Sequence, residues 1–176
     1  MGRFQHQEQQ ESTVFVYYFV YVDRPFRKVE GELLDRFEEL GAWASEAYRD
    51  GEDIRARMAV AEAPLLAKEV SLNVGEPIRA HAHTTVPLMW DATGSPGLFP
   101  RMLADLVVAP LGSTRAQLTF RGSYDPPLGP VGEMLDRALL HRVAEASVKA
   151  FMDRIASALG EAEDADPSKK QIVQSN

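Results

Sequence analysis

Arg79, His81 and His83 alternate along Ile78 to Trp90, a stretch whose composition suits a β-strand. Residues two apart share a strand face, so two imidazoles and a guanidinium would project together toward a metal ion or an anion. The pattern stops there. Four and five residues beyond His83, where a carboxylate would complete the ligand set, stand Pro87 and Leu88, and Asp91 would serve only if the strand bent toward the pair. A usable metal site needs three or four converging ligands, so both histidines are assigned to a solvated face and no metal or cofactor is expected.

Tyr124 and His141 form a different kind of pair. Tyr124 ends the alternating stretch Ser113 to Tyr124, in which Ala116, Leu118, Phe120, Gly122 and Tyr124 share one face while Arg115, Gln117, Thr119 and Arg121 share the other. That phase takes a phenol hydroxyl indoors, where it needs a partner. His141 falls in a helical pattern at the angle of Met134, Ala144 and Val148, with Glu145 one turn on, so its ring is placed to face the same interior. Phenol and imidazole can orient a polar group of a ligand, or move its protons.

Other chemistries lack their residues. No cysteine is present, which excludes disulfides, thiolate metal sites and a cysteine nucleophile. Neither dinucleotide nor Walker glycine spacing occurs, Gly129 to Gly132 reads as a helix-start turn, and no serine sits in a nucleophile elbow. A net charge of -7 has the wrong sign for tracking a phosphate backbone, so nucleic acid is not an expected partner. The apolar run Val14 to Val22 is nine residues long, less than half of a membrane span. The first dozen residues are polar and Gln-rich without the apolar core of a signal peptide, which points to the cytoplasm. Glu38, Glu39, Glu52 and Asp53 are assigned to solvated surface, and so is Arg101.

The elements that position these groups follow from periodicity. Residues 1–12 read as a disordered lead, 13–160 as one domain and 161–176 as a disordered tail. Thr13 to Val22, β-branched and aromatic throughout, is a central strand. Asp23 is then a helix N-cap with Pro25 in the first turn, and Val29, Leu33, Phe37, Leu40, Ala44 and Ala47 recur at helical spacing. Gly31 and Gly41 divide this stretch into two short helices beside strand one, ending at Asp50-Gly51. From Ile54 the period falls to two, weakly to Val60 and clearly over Val70 to Val74. Ile78 to Trp90 is one strand with Pro87 at an edge or bulge, and Met102 to Leu111 and Ser113 to Tyr124 form a hairpin around Gly112. Val131 to Gly160 is a long helix whose stripe Met134, Leu140, Val143, Ala144, Ser147, Val148, Phe151, Ile155 and Leu159 requires a broad apolar partner. The sum is α+β, an antiparallel sheet with its helices on one side.

This order resembles the helix-grip fold of the START-like superfamily, the polyketide-cyclase, dehydrase and lipid-transport-like group also called SRPBCC. The stretches Leu98 to Met102, Leu118 to Pro130 and Leu135 to Ser147 are similar to a bacterial branch of it. The resemblance implies a curved sheet wrapped around the long helix, with an apolar cavity between them for a lipid- or polyketide-like molecule. On that reading Trp43, Trp90, Phe99, Phe120, Tyr124, Met134 and His141 bind the ligand. The expected partner is a hydrophobic small molecule, held without covalent chemistry, and no oligomeric state is assigned. Two other classes stay open: a cyclase, aromatase or dehydratase working through Tyr124, His141 and Arg121, and a protein-interaction module with a filled core.

Overall fold

The computed structural model describes residues 13–57, 69–93, 101–125 and 137–161. The lead 1–12 and positions 162–176 of the tail lie outside them, as do Phe99 and Met134. The elements are β1 (Val14–Val22), α1 (Phe26–Asp35), α2 (Phe37–Arg57), β2 (Glu69–Val74), β3 (Ile78–Arg79), β4 (Thr84–Thr93), β5 (Met102–Leu111), β6 (Arg115–Tyr124) and α3 (Arg137–Glu161). The strands form one antiparallel sheet in the order β1-β6-β5-β4-β2, with β3 also on β4. The sheet curves around α3, whose 25 residues span about 38 Å.

Alternation decides which side of the sheet is dry. Along β6, Ala116, Leu118 and Phe120 are fully buried and Tyr124 nearly so, while Arg115 and Arg121 point outward, as their phase requires. Val86, Leu88 and Trp90 of β4 and Leu106 and Val108 of β5 extend that inner face. Val148, Phe151, Met152, Ile155 and Leu159 of α3 cover it, and each large buried side chain contributes roughly 1.5–3 kcal/mol. The β5–β6 hairpin turns at Gly112, whose φ of 70° is a conformation glycine adopts without steric cost.

The helix pair departs from the expectation at both ends. Asp23 is not the cap: the Arg24 amide donates to the Val22 carbonyl at 2.8 Å, and the chain enters α1 through Pro25, whose carbonyl accepts from Lys28 and Val29. The bend falls at Arg36 instead of Gly31 or Gly41, neither of which has a positive φ. A helical glycine costs about 1 kcal/mol against alanine, and burial of Val29, Leu33, Leu40, Ala44 and Ala47 on either side outweighs it. For the same reason α2 continues through Gly51 to Arg57, so residues 54–57 are helical where a weak strand was expected, and 58–60 lie outside the described residues. Nor do both helices flank β1. α1 packs on β5 and β6, and α2 packs on α3 and β2.

Ile78 to Trp90 is two strands. Residues 80–83 turn between β3 and β4, closed by the Ala80 amide on the His83 carbonyl at 2.8 Å. Pro87 explains a different break, the one between β2 and β3. Gly75 donates to its carbonyl at 2.8 Å, and Gly75, Glu76 and Pro77 bulge past Val86 and Pro87 between the β2 and β3 pairings. The missing proline N–H therefore faces a stretch with no ladder to complete.

Candidate ligand site

Tyr124 is the last residue of β6, opposite Val14 of β1 and Met102 of β5. It is only 5% exposed, and its Oη has no hydrogen-bond partner among the described residues. Burial, assisted by the Glu145 carboxylate, raises its pKa above the ordinary phenol value, so at neutral pH the hydroxyl is a proton donor without an acceptor among the described residues. Glu145 also pairs with His141 one turn earlier, with 3.2 Å between Nε2 and Oε1. In the tautomer that keeps Nε2–H toward that carboxylate, Nδ1 is an acceptor. Nδ1 is itself buried without a partner among the described residues. Among the described residues, the inner end of the sheet thus holds an unused donor and the adjoining turn of α3 an unused acceptor, with Glu145 near both.

The second feature lies along the edge of β1 that has no partner strand among the described residues. A half-open cleft of about 430 Å³ separates β1 from α3, lined by Val16, Tyr17 and Tyr18 on one side and Arg142, Glu145, Ala146 and Lys149 on the other. At 100° per residue those four helix positions share a face beside the buried stripe of Val148, Phe151 and Ile155. Lys149 forms an ion pair with Asp153, which raises the lysine pKa, and its Nζ lies 5.8 Å from the centre of the Tyr18 ring. The Tyr18 hydroxyl donates to Asp153 at 3.4 Å.

The residues singled out in the sequence separate into groups. Trp90 and Phe120 both meet Phe151 edge-on, at 5.4 and 6.4 Å between centroids, and form a packed aromatic cluster in the core. Tyr124 and His141 lie toward Glu145, beyond that cluster. Trp43 is on α2, half-buried beneath the Arg36 guanidinium at 5.2 Å. Phe99 and Met134 belong to connections outside the described residues. Arg121 faces outward and does not converge with Tyr124. Arg101 is exposed and pairs with Asp91 at 2.7 Å.

His81 and His83 do not share a strand face with Arg79, because they occupy the β3–β4 turn and face solvent. Arg79 itself turns to Glu30, 3.6 Å away. No group of three metal-ligating side chains occurs among the described residues. The cleft residues Tyr18, Arg142 and Lys149 went unread in the sequence, although a signal was present. Tyr18 has the inward phase of Val16, and Lys149 precedes Asp153 by one helical turn.

No family model matches the sequence, and no curated protein matches it. Solved structures do. A conserved protein from Geobacillus kaustophilus is 15% identical, with 84% of this chain and 96% of that chain covered at a TM-score of 0.50. Hypothetical protein jhp0584 from Helicobacter pylori is 14% identical, with 86% and 90% covered at 0.50. The fold is the helix grip. A further match, at a TM-score of 0.47 and 14% identity over 88% of this chain and 98% of that one, is the Zhui aromatase/cyclase from Streptomyces sp. R1128. Among the described residues, no helix of this helix-grip chain is long and apolar enough to cross a membrane.

Proposed function

We propose that this protein binds a hydrophobic small molecule carrying a polar group between the inner face of its sheet and α3, without covalent chemistry. The observation that supports this most directly is the Tyr124 hydroxyl, buried and without a partner among the described residues, beside a helix whose His141 Nδ1 is in the same condition. An unsatisfied buried hydroxyl costs about 1–3 kcal/mol, which a ligand acceptor offsets on binding. The complementary ligand is lipid- or polyketide-like, with an acceptor for Tyr124 and a donor for Nδ1. Trp90 and Phe120 supply its apolar floor, and Trp43, Phe99 and Met134 complete the set of proposed contacts. The local stretches quoted above favour the bacterial branch of START-like proteins as its kin.

Native mass spectrometry of the purified protein, set against its denatured mass, tests the reading. A reproducible adduct is expected, and its retention should fall about tenfold in both Tyr124→Phe and His141→Ala, each the loss of one buried hydrogen bond. Unchanged circular dichroism would show that the fold survives. A clean apo mass together with unaltered binding of an apolar fluorescent probe in both variants would overturn the proposal. A catalytic reading, cyclisation or dehydration through Tyr124 and His141, has the His141–Glu145 pair in its favour. It would appear as a change in the adduct's mass on incubation.

A further inference from the structure

Among the described residues, β1 lacks the devices that normally protect an exposed sheet edge. Among the described residues it pairs with β6 alone, and its nine residues contain no charge, no proline and no glycine. On its outer face stand four exposed aromatics in a row, Phe15 at 74%, Tyr17 at 61%, Phe19 at 45% and Tyr21 at 48%, with the Phe19 ring 6.2 Å from Tyr17 and 5.5 Å from Tyr21. The order of residues along the strand is close to a palindrome centred on Tyr18.

The geometry points to a second copy of this chain as the occupant, with β1 pairing antiparallel to the partner's β1 across a two-fold axis at Tyr18. In that register valines meet valines, Val14 opposite the partner's Val22 and Val16 opposite the partner's Val20. Aromatics meet aromatics, Phe15 opposite the partner's Tyr21 and Tyr17 opposite the partner's Phe19. An isologous contact requires such self-complementarity, and cross-strand aromatic pairs are among the more favourable sheet pairs. Charge agrees with shape. Lys149 and Asp153 both lie against Tyr18, so the axis sets each Lys149–Asp153 pair against its antiparallel copy, with lysine toward aspartate. The cleft along this edge leaves room beside Val16 and Tyr18 for the partner's inward side chains. The two sheets then join into one, and the cleft gains a wall from the partner.

Sedimentation of the full chain tests the assignment, with substitutions confined to exposed positions. The wild-type protein should sediment at twice its 19.5 kDa at micromolar concentration. Tyr17→Lys with Phe19→Lys sets like charges opposite each other across the axis and should weaken the dimer about 100-fold. Tyr17→Lys with Phe19→Glu sets opposite charges there and should restore it, which an aggregating surface or an aromatic platform for a polysaccharide would not do. A wild-type chain that stays at 19.5 kDa up to about 100 µM overturns the assignment, since edge pairing of this extent is expected to hold at micromolar concentrations. So does a dimer that survives the double lysine variant, or one that is lost equally in both variants.

Discussion

The Arg24 guanidinium donates to the backbone carbonyl of Leu159, joining the start of the helix pair to the last turn of α3 across 135 positions of sequence. Arg24 is 7% exposed and also grips the Glu32 carboxylate through both terminal nitrogens. Close by, Arg36 donates to the Ala158 carbonyl at 3.0 Å. The last carbonyls of a helix have no partner within it and carry its negative pole, so two arginines there satisfy orphan acceptors and complement the dipole. Arg24→Met leaves both the carboxylate and the carbonyl without their donor. It should lower unfolding free energy by about 3 kcal/mol, and Arg36→Met by about 1 kcal/mol, in urea titrations at pH 7.

Glu30 provides a stability contribution that depends on pH. It is 6% exposed on α1 and accepts from the Thr84 hydroxyl of β4 and from Arg27 at 2.9 Å, with Arg79 at 3.6 Å. Burial alone would raise its pKa, but the Thr84 and Arg27 hydrogen bonds and the two guanidinium charges outweigh it and hold the carboxyl below its ordinary value. A carboxyl depressed in the folded state stabilises above its unfolded pKa, and that contribution is lost as pH falls through the folded value. Glu30→Gln should therefore cost about 1–2 kcal/mol at pH 7, and the gap from wild type should shrink as denaturation is repeated toward pH 3. A gap that widens on acidification would contradict this account.

What the sequence discloses of this molecule is what local periodicity can encode. The phase of β6 and the stripe of α3 are legible, because each alternates against a single dry face, and from them come the inward Tyr124 and the outward Arg121. The β3–β4 turn at His81 is not legible, since Ile78 to Trp90 reads as one continuous strand and the turn is closed by a backbone bond, Ala80 to His83, that no residue type announces. Gly51 reads as a stop because the packing of α2 on α3 and β2, which carries the helix past it, is long-range. The candidate site divides in the same way. Tyr124 and His141 follow from strand phase and helix angle, whereas the β1–α3 cleft depends on how two distant elements are spaced.

Gly122 marks how tightly the sheet is packed next to Tyr124. A Cβ at this position would lie 2.8 Å from Cε1 of Phe120 and 3.1 Å from Sδ of Met102. The Phe120 ring is fully buried and meets Phe151 edge-on, so moving it disturbs the aromatic cluster. Gly122→Ala should cost about 2 kcal/mol by overpacking, measured as a lower urea midpoint at unchanged slope. The Met102→Ala background removes the sulfur contact but leaves the ring, so it should relieve only part of that cost.

Tyr124→Phe separates the hydroxyl from the ring that carries it. The ring is core, buried on the inner face of β6, and phenylalanine keeps that packing. The hydroxyl is buried without a partner among the described residues, and its removal should leave ligand-free protein as stable as wild type or more stable by about 1 kcal/mol. The raised pKa adds a second signature. A group whose folded pKa lies above its unfolded value stabilises fully below the unfolded value, and that stability is lost as pH rises through the folded one. Wild type should therefore lose stability on passing from pH 9 to pH 11 by more than the phenylalanine variant does, as read by thermal melts at both values. Equal losses would mean that the Tyr124 hydroxyl ionises in the folded protein as it does in the unfolded chain, and its place as a buried, protonated donor would fall with that result.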